Sequence, residues 1–392
     1  MSSAGGPTAG LAEKALVDRV RRRISAGRSA DVVGVLREDA GLLVDDAALA
    51  ELRRGIEAEI SGAGPLEPLL AMPGVTDVLV NAPDEVWTDC GSGLERSTVR
   101  FADDAAVRRL AQRLASAAGR RLDDAAPFVD ASLPDGTRLH AVLPPVVSHP
   151  VLSLRVLRRT RFTLGDLVAA AALPPAVAEL LVAVVSARLA FVISGGTGTG
   201  KTTLLGALLG ELDPSERVIL VEDAAEVVTT HRHLVRLVTR QPNVEGAGTI
   251  GPRELVRQAL RMRPDRLVVG EFRGAEMVEL LAALNTGHEG GAATLHANAV
   301  ADVPARLAAL GALGGLDRAS TELQVSSALE VIVQLRRGRG GRRIVAEIGL
   351  LRALAGALRA DPVWTVAGRG SAAGELAALL AERGVAVPDI LR

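Results

Sequence analysis

A glycine-rich loop with one lysine is the part of the sequence whose residue types and spacing most directly suggest chemistry. The stretch GGTGTGKT fits the pattern G-x-x-x-x-G-K-T; it follows the apolar run LAFVIS and precedes the helix-like run TLLGALLG. In such a loop the glycines let consecutive backbone N–H groups converge on phosphate, and the helix N-terminus adds partial positive charge. The predicted phosphate-binding residues are Gly195, Gly196, Thr197, Gly198, Thr199, Gly200, Lys201, Thr202 and Thr203.

Two side chains of this loop have predicted roles of their own. Lys201 is expected to reach the outer phosphates of ATP, and the Thr202 hydroxyl is expected to bind Mg²⁺. Lys14 and Lys201 are the only lysines of the chain, so the lysine in the loop stands out from the composition. A glycine turn with an incidental lysine is the alternative, and the strand before the loop and the helix after it disfavour that alternative.

Carboxylates follow two further apolar runs of the same region. Glu222 follows RVILV, with Asp223 and Glu226 close behind, and Glu271 follows LVVG. Side chains at the carboxyl ends of parallel strands lie in the crevice where such sheets bind ligands. Glu222 is predicted to polarise the attacking water, unless it only complements a helix dipole. Glu271 resembles a Walker B acid that holds Mg²⁺ through water, and which of the two is the base stays open.

Two histidines bracket a short apolar run. The segment TGHEGG contains His288, AATL follows, and His296 opens HAN. At least one of these histidines is predicted to hydrogen-bond the γ-phosphate, with His288 as a nucleotide-binding residue and His296 as a catalytic residue. A metal site is the disfavoured alternative, because His231 and His233 are distant in sequence and the chain has a single cysteine, Cys90.

The order of the apolar patterns predicts which elements position these residues. Residues 1–60 are expected to be a disordered start followed by short helices, and residues 61–159 an α+β domain. That domain would contain strands at VTDVLV, EVWTD, STVRF, PFVDASL, TRLHAVL and LSLRVL and a helix at Asp103 to Ala118. Residues 160–350 repeat strand, loop and helix, which predicts an α/β domain with a mainly parallel sheet. Residues 351–392 are expected to be a small C-terminal segment of unknown role.

Composition narrows the classes of partner and location. The net charge is −1 and aromatic residues make up 2%, so the chain has neither a basic footprint nor many base-stacking side chains, and no stable nucleic-acid binding is expected. One cysteine excludes an intramolecular disulfide. No apolar stretch reaches the roughly 18 to 20 residues that span a bilayer, and no signal peptide is recognised. These observations predict a cytoplasmic protein.

Four ordered motifs together resemble one family. GGTGTGKTT, VILVEDAAEV, RMRPDRLVVGEFRG and TGHEGGAATLHAN are similar to the Walker A, Asp box, Walker B and His box of type II/IV secretion ATPases. The similarity extends upstream through GAGPLEPLL, VTDVLVN and LPDGTRLHAVLPPV, so it covers residues 60 to 350. Within the family, the chain most resembles the tight-adherence (Flp-type) pilus ATPases, including their actinobacterial branch labelled as conjugal-transfer-associated.

The resemblance implies a homohexameric ring in which each subunit has an N-terminal domain and a RecA-like ATPase domain, with ATP between them. It also implies arginine fingers on the N-terminal domain, and the matching positions are Arg138 in PDGTRLHA and Arg155 in LSLRVLRR. Arginine fingers stabilise charge on the transferred phosphoryl group. A plain strand-edge charge is the alternative for either residue.

The sequence also differs from members of this family in some features. The four-cysteine zinc module of type II secretion relatives is absent from the sequence, and His149-Pro150 stands where relatives often carry glycine. The run RRGRGGRR, Arg336 to Arg343, is interpreted as a solvated hairpin turn in preference to a patch for an acidic partner.

The function predicted from these features is Mg-dependent ATP hydrolysis by an oligomeric motor. The motor would push on a polytopic inner-membrane platform protein and power pilus assembly or secretion of pilin-like subunits, while lying peripherally at the inner face of the membrane. The alternatives are a DNA translocase of a conjugation-like system and a non-catalytic nucleotide-binding scaffold.

Overall fold

The computed structural model describes residues 62–91, 93–157, 160–240, 242, 247–338, 341–354 and 357–392. The chain divides into two compact units, Met1–Leu157 and Arg158–Arg392, where the sequence predicted a boundary between residues 159 and 160. The helices predicted within residues 1–60 lie outside the described residues. Each unit is described below by itself.

The first unit contains a six-stranded sheet in the order β3-β2-β1-β6-β5-β4, in which every pair of neighbours is antiparallel. Its elements, besides a 3₁₀ turn at Gly64–Leu66, are α1 Glu67–Leu70, β1 Asp77–Ala82, β2 Glu85–Asp89, β3 Leu94–Arg96, α2 Asp104–Ala117, β4 Phe128–Ser132, β5 Arg138–Val142 and β6 Val151–Arg155.

Alternation of apolar side chains explains how this sheet forms. Val78 and Val80 of β1 are fully buried, as are Leu152 and Leu154 of β6, while the residues between them are more exposed. Helix α2 begins after Asp103, whose carboxylate accepts a hydrogen bond of 2.7 Å from the Ala106 N–H and so caps the helix. The predicted helix at this place is confirmed within one residue at each end.

One predicted strand of this unit is wrong. The run STVRF is irregular in the structure, and the strand lies just before it, at β3. The Ser97 hydroxyl accepts a hydrogen bond of 3.1 Å from the Val99 N–H, a local turn that competes with strand pairing.

The second unit is built on a nine-stranded sheet in the order β15-β14-β13-β12-β7-β11-β10-β8-β9. The six strands from β12 to β9 in that order are parallel, and β13 to β15 add an antiparallel extension. The strands are β7 Phe191–Gly195, β8 Val218–Glu222, β9 Leu234–Val238, β10 Arg266–Val269, β11 Ala292–Leu295, β12 Val331–Arg337, β13 Arg343–Leu354, β14 Ala357–Thr365 and β15 Gly368–Arg369.

Helices cover both faces of the parallel part. Successive residues of β7 alternate between two buried clusters, with Phe191 and Ile193 on one face and Val192 on the other. This two-sided burial explains why the central strands are continuous apolar runs. The helices are α3 Leu164–Ala169, α4 Pro175–Ser186, α5 Lys201–Leu209, α6 Pro252–Ala259, α7 Glu276–Leu284, α8 Val303–Leu313, α9 Arg318–Ala328 and α10 Ala373–Glu382, with 3₁₀ turns at Leu260–Met262, Val300–Asp302 and Asp389–Leu391.

The C-terminal residues join this sheet. Residue 351, where the sequence predicted a new segment, lies inside β13, and β13 pairs along its length with β12 and β14. Leu376 and Leu380 of α10 are buried in the same cluster as Phe191 and Ile193. In the part of the chain that the structure describes, no helix has the length and apolarity needed to cross a membrane.

Candidate nucleotide-phosphate site

The glycine loop lies between the end of β7 and the start of α5, as its sequence context predicts. Gly195, Gly198 and Gly200 have positive φ angles of 151°, 68° and 96°. A methyl group on Gly195 would lie 2.7 Å from the Leu335 carbonyl oxygen, so a side chain there would collide with β12. The loop therefore needs glycine for backbone conformation and for close approach of the neighbouring strand.

Lys201, the first residue of α5, is folded over this loop. Its Nζ donates hydrogen bonds of 3.0 Å to the carbonyl oxygens of Gly195 and Gly196, and it lies 3.4 Å from Nδ1 of His296. Burial lowers the pKa of Lys201, and the Glu271 carboxylate opposes that shift. The ammonium group is thus held in the loop, where an incoming phosphate would meet it.

Glu271 and His296 meet beside Lys201. Glu271 follows β10 after one residue, and His296 follows β11 directly, so two neighbouring parallel strands deliver these side chains to one edge of the sheet. Nε2 of His296 lies 2.6 Å from Oε1 of Glu271, and Nη2 of Arg273 lies 2.5 Å from Oε2. Burial and then the charge of Lys201 lower the pKa of His296, while Glu271 raises it. The structure therefore brings together three predicted site residues.

Glu222 ends β8, but its carboxylate is engaged in its own loop. Oε1 accepts backbone hydrogen bonds of 3.0 Å from Glu226 and 2.7 Å from Val227, and Oε2 lies 2.8 Å from Nε of Arg236. Burial raises the pKa of Glu222, and these hydrogen bonds and the Arg236 charge oppose the shift. A carboxylate with these partners stabilises the turn after β8.

His288 lies away from the phosphate loop of its own chain, contrary to the sequence prediction. It precedes β11, whereas His296 follows β11, and β11 runs parallel to β7 with Ala292 opposite Phe191 and Leu295 opposite Ser194. The loop follows β7, so His288 is at the opposite end of the strand pair. Its Nδ1 is buried and has no hydrogen-bond partner among the described residues.

The two predicted arginine fingers lie side by side in the first unit. Arg138 begins β5, Arg155 ends β6, and their Cα atoms are direct cross-strand partners. Nε of Arg155 lies 3.1 Å from a carboxylate oxygen of Asp77, and the Arg155 side chain is 57% exposed. The structure thus gathers both arginines at one end of the first sheet.

Several supporting residues had no signal in the sequence. Gln334 of β12 accepts a hydrogen bond of 2.5 Å from the Ser194 hydroxyl, and its amide donates to the backbone oxygens of Ala297 at 3.3 Å and Asn298 at 3.1 Å. It therefore ties β12 to the strand before the phosphate loop and to the segment after His296. Arg236 and Arg273 are two more such residues, and only the fold shows which carboxylates they contact.

The side chains present fit a magnesium nucleotide. In the described residues no group of three or more His, Cys, Asp or Glu side chains forms a metal site. Mg²⁺ commonly binds proteins through few protein oxygens and completes its coordination with phosphates and water. Thr202, half-buried in the first turn of α5, and Glu271 supply such oxygens next to a loop shaped for phosphate.

Comparisons of the whole chain agree with this geometry. The family described as "Type II/IV secretion system protein" matches residues 59–342. A putative conjugal transfer protein of Mycobacterium tuberculosis strain H37Rv is 59% identical over 330 residues, which is 82% of this chain and 94% of that protein. The type IV secretion system protein PtlH of Bordetella pertussis is 31% identical over 316 residues, 72% of this chain and 92% of that protein.

Solved structures show the same fold. The pilus retraction motor PilT with bound ADP aligns with a TM-score of 0.52 and 23% identity, over 72% of this chain and 80% of that one. The ATPase DotB of Legionella pneumophila aligns with a TM-score of 0.51 and 21% identity, over 70% and 77%. With a phosphate loop between β7 and α5 in a RecA-like fold, the chain belongs to the type II/IV secretion ATPase superfamily.

Proposed function

We propose that the protein is a Mg-dependent ATPase that hydrolyses ATP to ADP and phosphate. The observation that carries this proposal is the meeting of Lys201, Glu271 and His296 at the edge of the sheet where the glycine loop lies. A lysine, a carboxylate and a histidine supplied by three different segments are not needed to stabilise a simple turn. A magnesium nucleotide in the loop would offer phosphate oxygens to Lys201 and His296 and a cation to Glu271.

The chemistry assigns a role to each residue. Lys201 exchanges the carbonyl oxygens of Gly195 and Gly196 for the outer phosphates, and the loop N–H groups bind the remaining phosphate oxygens. A magnesium ion held at Thr202 and Glu271 would neutralise charge that develops on the phosphoryl group. His296, between Lys201 and Glu271, would donate a hydrogen bond to the γ-phosphate in exchange for its contact with Glu271.

We assign the water-orienting role to Glu271 in preference to Glu222. The carboxylate of Glu222 already accepts two backbone hydrogen bonds and faces Arg236. The carboxylate of Glu271 is also paired, with His296 and Arg273, but it lies near Lys201 beside the loop. A residue that must contact water and phosphate needs that position.

The wider proposal is a ring-shaped motor. Membership of the secretion ATPase superfamily supports a homohexamer, with Arg138 and Arg155 reaching the nucleotide as fingers, and a polytopic membrane platform protein as partner. The tight-adherence branch is proposed from the sequence motifs, and pilin-like subunits are the proposed cargo. In this arrangement the protein lies in the cytoplasm, at the inner face of the membrane.

Phosphate release by the purified full chain tests the catalytic proposal. We expect turnover with ATP and Mg²⁺ and none after chelation of the ion. Lys201→Ala is expected to reduce turnover at least about 100-fold and to weaken nucleotide binding, because it removes the cation that contacts the outer phosphates. Unchanged turnover in a folded Lys201→Ala variant would show that the activity arises elsewhere.

A DNA translocase remains the second candidate, because the similar Mycobacterium protein and a TrbB protein of Rhizobium radiobacter, 35% identical over 229 residues, are described as conjugal transfer proteins. The net charge of −1 disfavours tight DNA binding. DNA-stimulated turnover together with salt-dependent DNA affinity would favour the translocase. Tight ATP binding without phosphate release would favour a non-catalytic scaffold.

A further inference from the structure

The end of strand β12 lies against the phosphate loop. Leu335 pairs with Gly195, and its carbonyl oxygen would be 2.7 Å from a methyl group placed on that glycine. A methyl group on Gly200 would lie 3.9 Å from Cδ2 of Leu335. Because strand residues two positions apart share a face, the next side chain on this face of β12 is Arg337.

Two arginines extend this contact over the loop. A methyl group on Gly198 would lie 3.5 Å from Nη2 of Arg337, and one on Gly200 would lie 3.6 Å from Cδ of Arg343. Arg343 begins β13 and is the direct cross-strand partner of Arg337. The two side chains therefore stand on one face of the β12–β13 hairpin and border the glycine loop.

The charges of this pair are not balanced within the described part of the chain. Neither Arg337 nor Arg343 is in an ion pair there, whereas Arg236 and Arg273 of the same unit are. Like charges directly opposite each other on neighbouring strands are destabilising. Two opposed cations beside a phosphate loop are explained by an anion that binds between them and the loop.

We propose that Arg337 and Arg343 bind the phosphate groups of a nucleoside diphosphate or triphosphate held by the glycine loop of the same chain. This inference rests on the proposed function and adds two binding residues to its site. Strand β7 has β12 on one side and β11 on the other, so the arginines and the Glu271–His296 pair border the loop from opposite sides. The arginines therefore contribute to the binding of ADP and ATP alike. The residues proposed to act in hydrolysis, Glu271 and His296, lie on the other side of the loop.

Arg336 provides the matched control. It is adjacent to Arg337, it is also exposed, and as the neighbouring residue of the same strand it projects from the opposite face of the hairpin. A general loss of positive charge from the hairpin affects the Arg336→Ala and Arg337→Ala variants equally. A specific phosphate contact affects only Arg337→Ala.

The test measures the dissociation constants of the full-length protein for ADP and ATP, with a fluorescent ADP analogue as probe and ATP as competitor. Arg337→Ala and Arg343→Ala are each expected to weaken both nucleotides roughly tenfold or more, as loss of a charge-assisted hydrogen bond does. Arg336→Ala should bind like wild type. Lysine at position 337 or 343 should restore part of the affinity, since it keeps the charge but loses the planar fork.

Thermal unfolding gives a second readout that a merely structural role would not produce. Without nucleotide, the double variant Arg337→Ala/Arg343→Ala should unfold at the wild-type temperature or above it, because like-charge repulsion is removed. With ADP, its stabilisation should be smaller than that of wild type.

Nucleotide affinities of the double variant within twofold of wild type would overturn the inference while leaving the ATPase proposal intact. A wild-type protein that binds neither ADP nor ATP would overturn both.

Discussion

At the residue scale, Glu271 and Glu222 both follow strands of the parallel sheet but differ in what surrounds their carboxylates. We expect Glu271→Gln to lower kcat about 100-fold or more, because a neutral amide orients the attacking water poorly. Glu222→Gln should lower kcat less than about tenfold, because its carboxylate mainly holds Val227 and Arg236. Steady-state phosphate release and nucleotide titration measure both effects.

Unfolding of the Glu222→Gln variant and of a control variant complements the kinetic measurement. Glu222→Gln should leave the free energy of unfolding within about 1 kcal/mol of wild type, because the amide oxygen still accepts the two backbone hydrogen bonds and the lost pair with Arg236 is offset by the burial that raises the pKa of Glu222. Glu322→Gln, which alters an i,i+4 pair with Arg318 on α9, is the control and should change neither turnover nor stability by much. Equal losses of kcat in the Glu222 and Glu271 variants would contradict the assignment of the base to Glu271.

Much of the candidate site could be predicted residue by residue, because it follows apolar strands. The glycine loop, Glu271 and His296 each come directly or one residue after a buried strand, and parallel pairing brings such residues to one edge. His288 differs because it comes before its strand. The sequence has one histidine on each side of AATL, and the presence of both does not by itself show which one lies at the end of the strand beside the loop. Contacts such as Gln334 with Ser194 join residues far apart in the chain, so no spacing in the sequence indicates them.

At the element scale, the packing of α5 depends on one glycine inside the helix. Replacing an interior helix glycine with alanine ordinarily stabilises a helix by roughly 0.5–1 kcal/mol. A methyl group on Gly206, however, would lie 2.1 Å from the carbonyl oxygen of Val228. We expect Gly206→Ala to destabilise the protein by about 2 kcal/mol or more, because the helix that carries Lys201 must move away from the backbone.

Gly374 in the first turn of α10 is the control for this prediction. The nearest atom to a methyl group there is Nη2 of Arg369, at 3.9 Å. Gly374→Ala should therefore leave stability unchanged or raise it slightly. Denaturant unfolding of both variants is the measurement, and equal stabilities would show that α5 does not need its close approach to residue 228.

A half-buried carboxylate just before β12 makes stability depend on pH. Burial raises the pKa of Glu330 from 4.5 to about 7, opposed by a hydrogen bond from the Ala190 N–H and by the charge of Arg383. Between these two pKa values the folded state binds more protons than the unfolded state, so stability falls as pH rises. The contribution is present below about pH 4.5 and is lost by about pH 7.

Glu330→Gln is expected to remove this pH dependence. The amide oxygen still accepts the hydrogen bond from Ala190, and no charge has to be buried. The variant should gain stability relative to wild type as pH rises from 4.5 to 7, by at most about 3 kcal/mol. Urea unfolding across that range measures the difference, with exposed Glu382→Gln as the control. A wild-type to variant difference that does not change with pH would contradict the raised pKa.

The elements themselves were predictable where their pattern was uniform. The strands RVILV, LVVG and AATL are continuous apolar runs, and the structure confirms them. The antiparallel extension from β13 to β15 was not predicted, since Gly349 and Pro362 interrupt its alternation at a bulge of the β13–β14 pair. Pairing with β12 outweighs this weak local signal, and such pairing cannot be seen from neighbouring residues alone.

At the scale of the whole molecule, the two units carry different parts of the proposed machinery. The first has Arg138 and Arg155 at one end of its antiparallel sheet, and the second has the glycine loop, Glu271 and His296. A finger supplied by one subunit to the nucleotide of another requires assembly. Specific activity should then rise with protein concentration through the range in which subunits associate.

Mixing two inactive variants distinguishes fingers that act between subunits from fingers that act within one chain. Arg155→Ala keeps an intact glycine loop, and Lys201→Ala keeps an intact finger, so a mixed ring contains some interfaces with both. We expect phosphate release to return to a measurable fraction of wild type after mixing, although each variant alone is inactive. Arg155→Lys on its own should stay well below wild-type turnover, because lysine keeps the charge but lacks the forked geometry. If mixed rings form, as their measured mass shows, and activity still does not return, then the fingers do not act between subunits. The control for this result is wild type diluted with Lys201→Ala subunits, which must retain activity in proportion to the wild-type share.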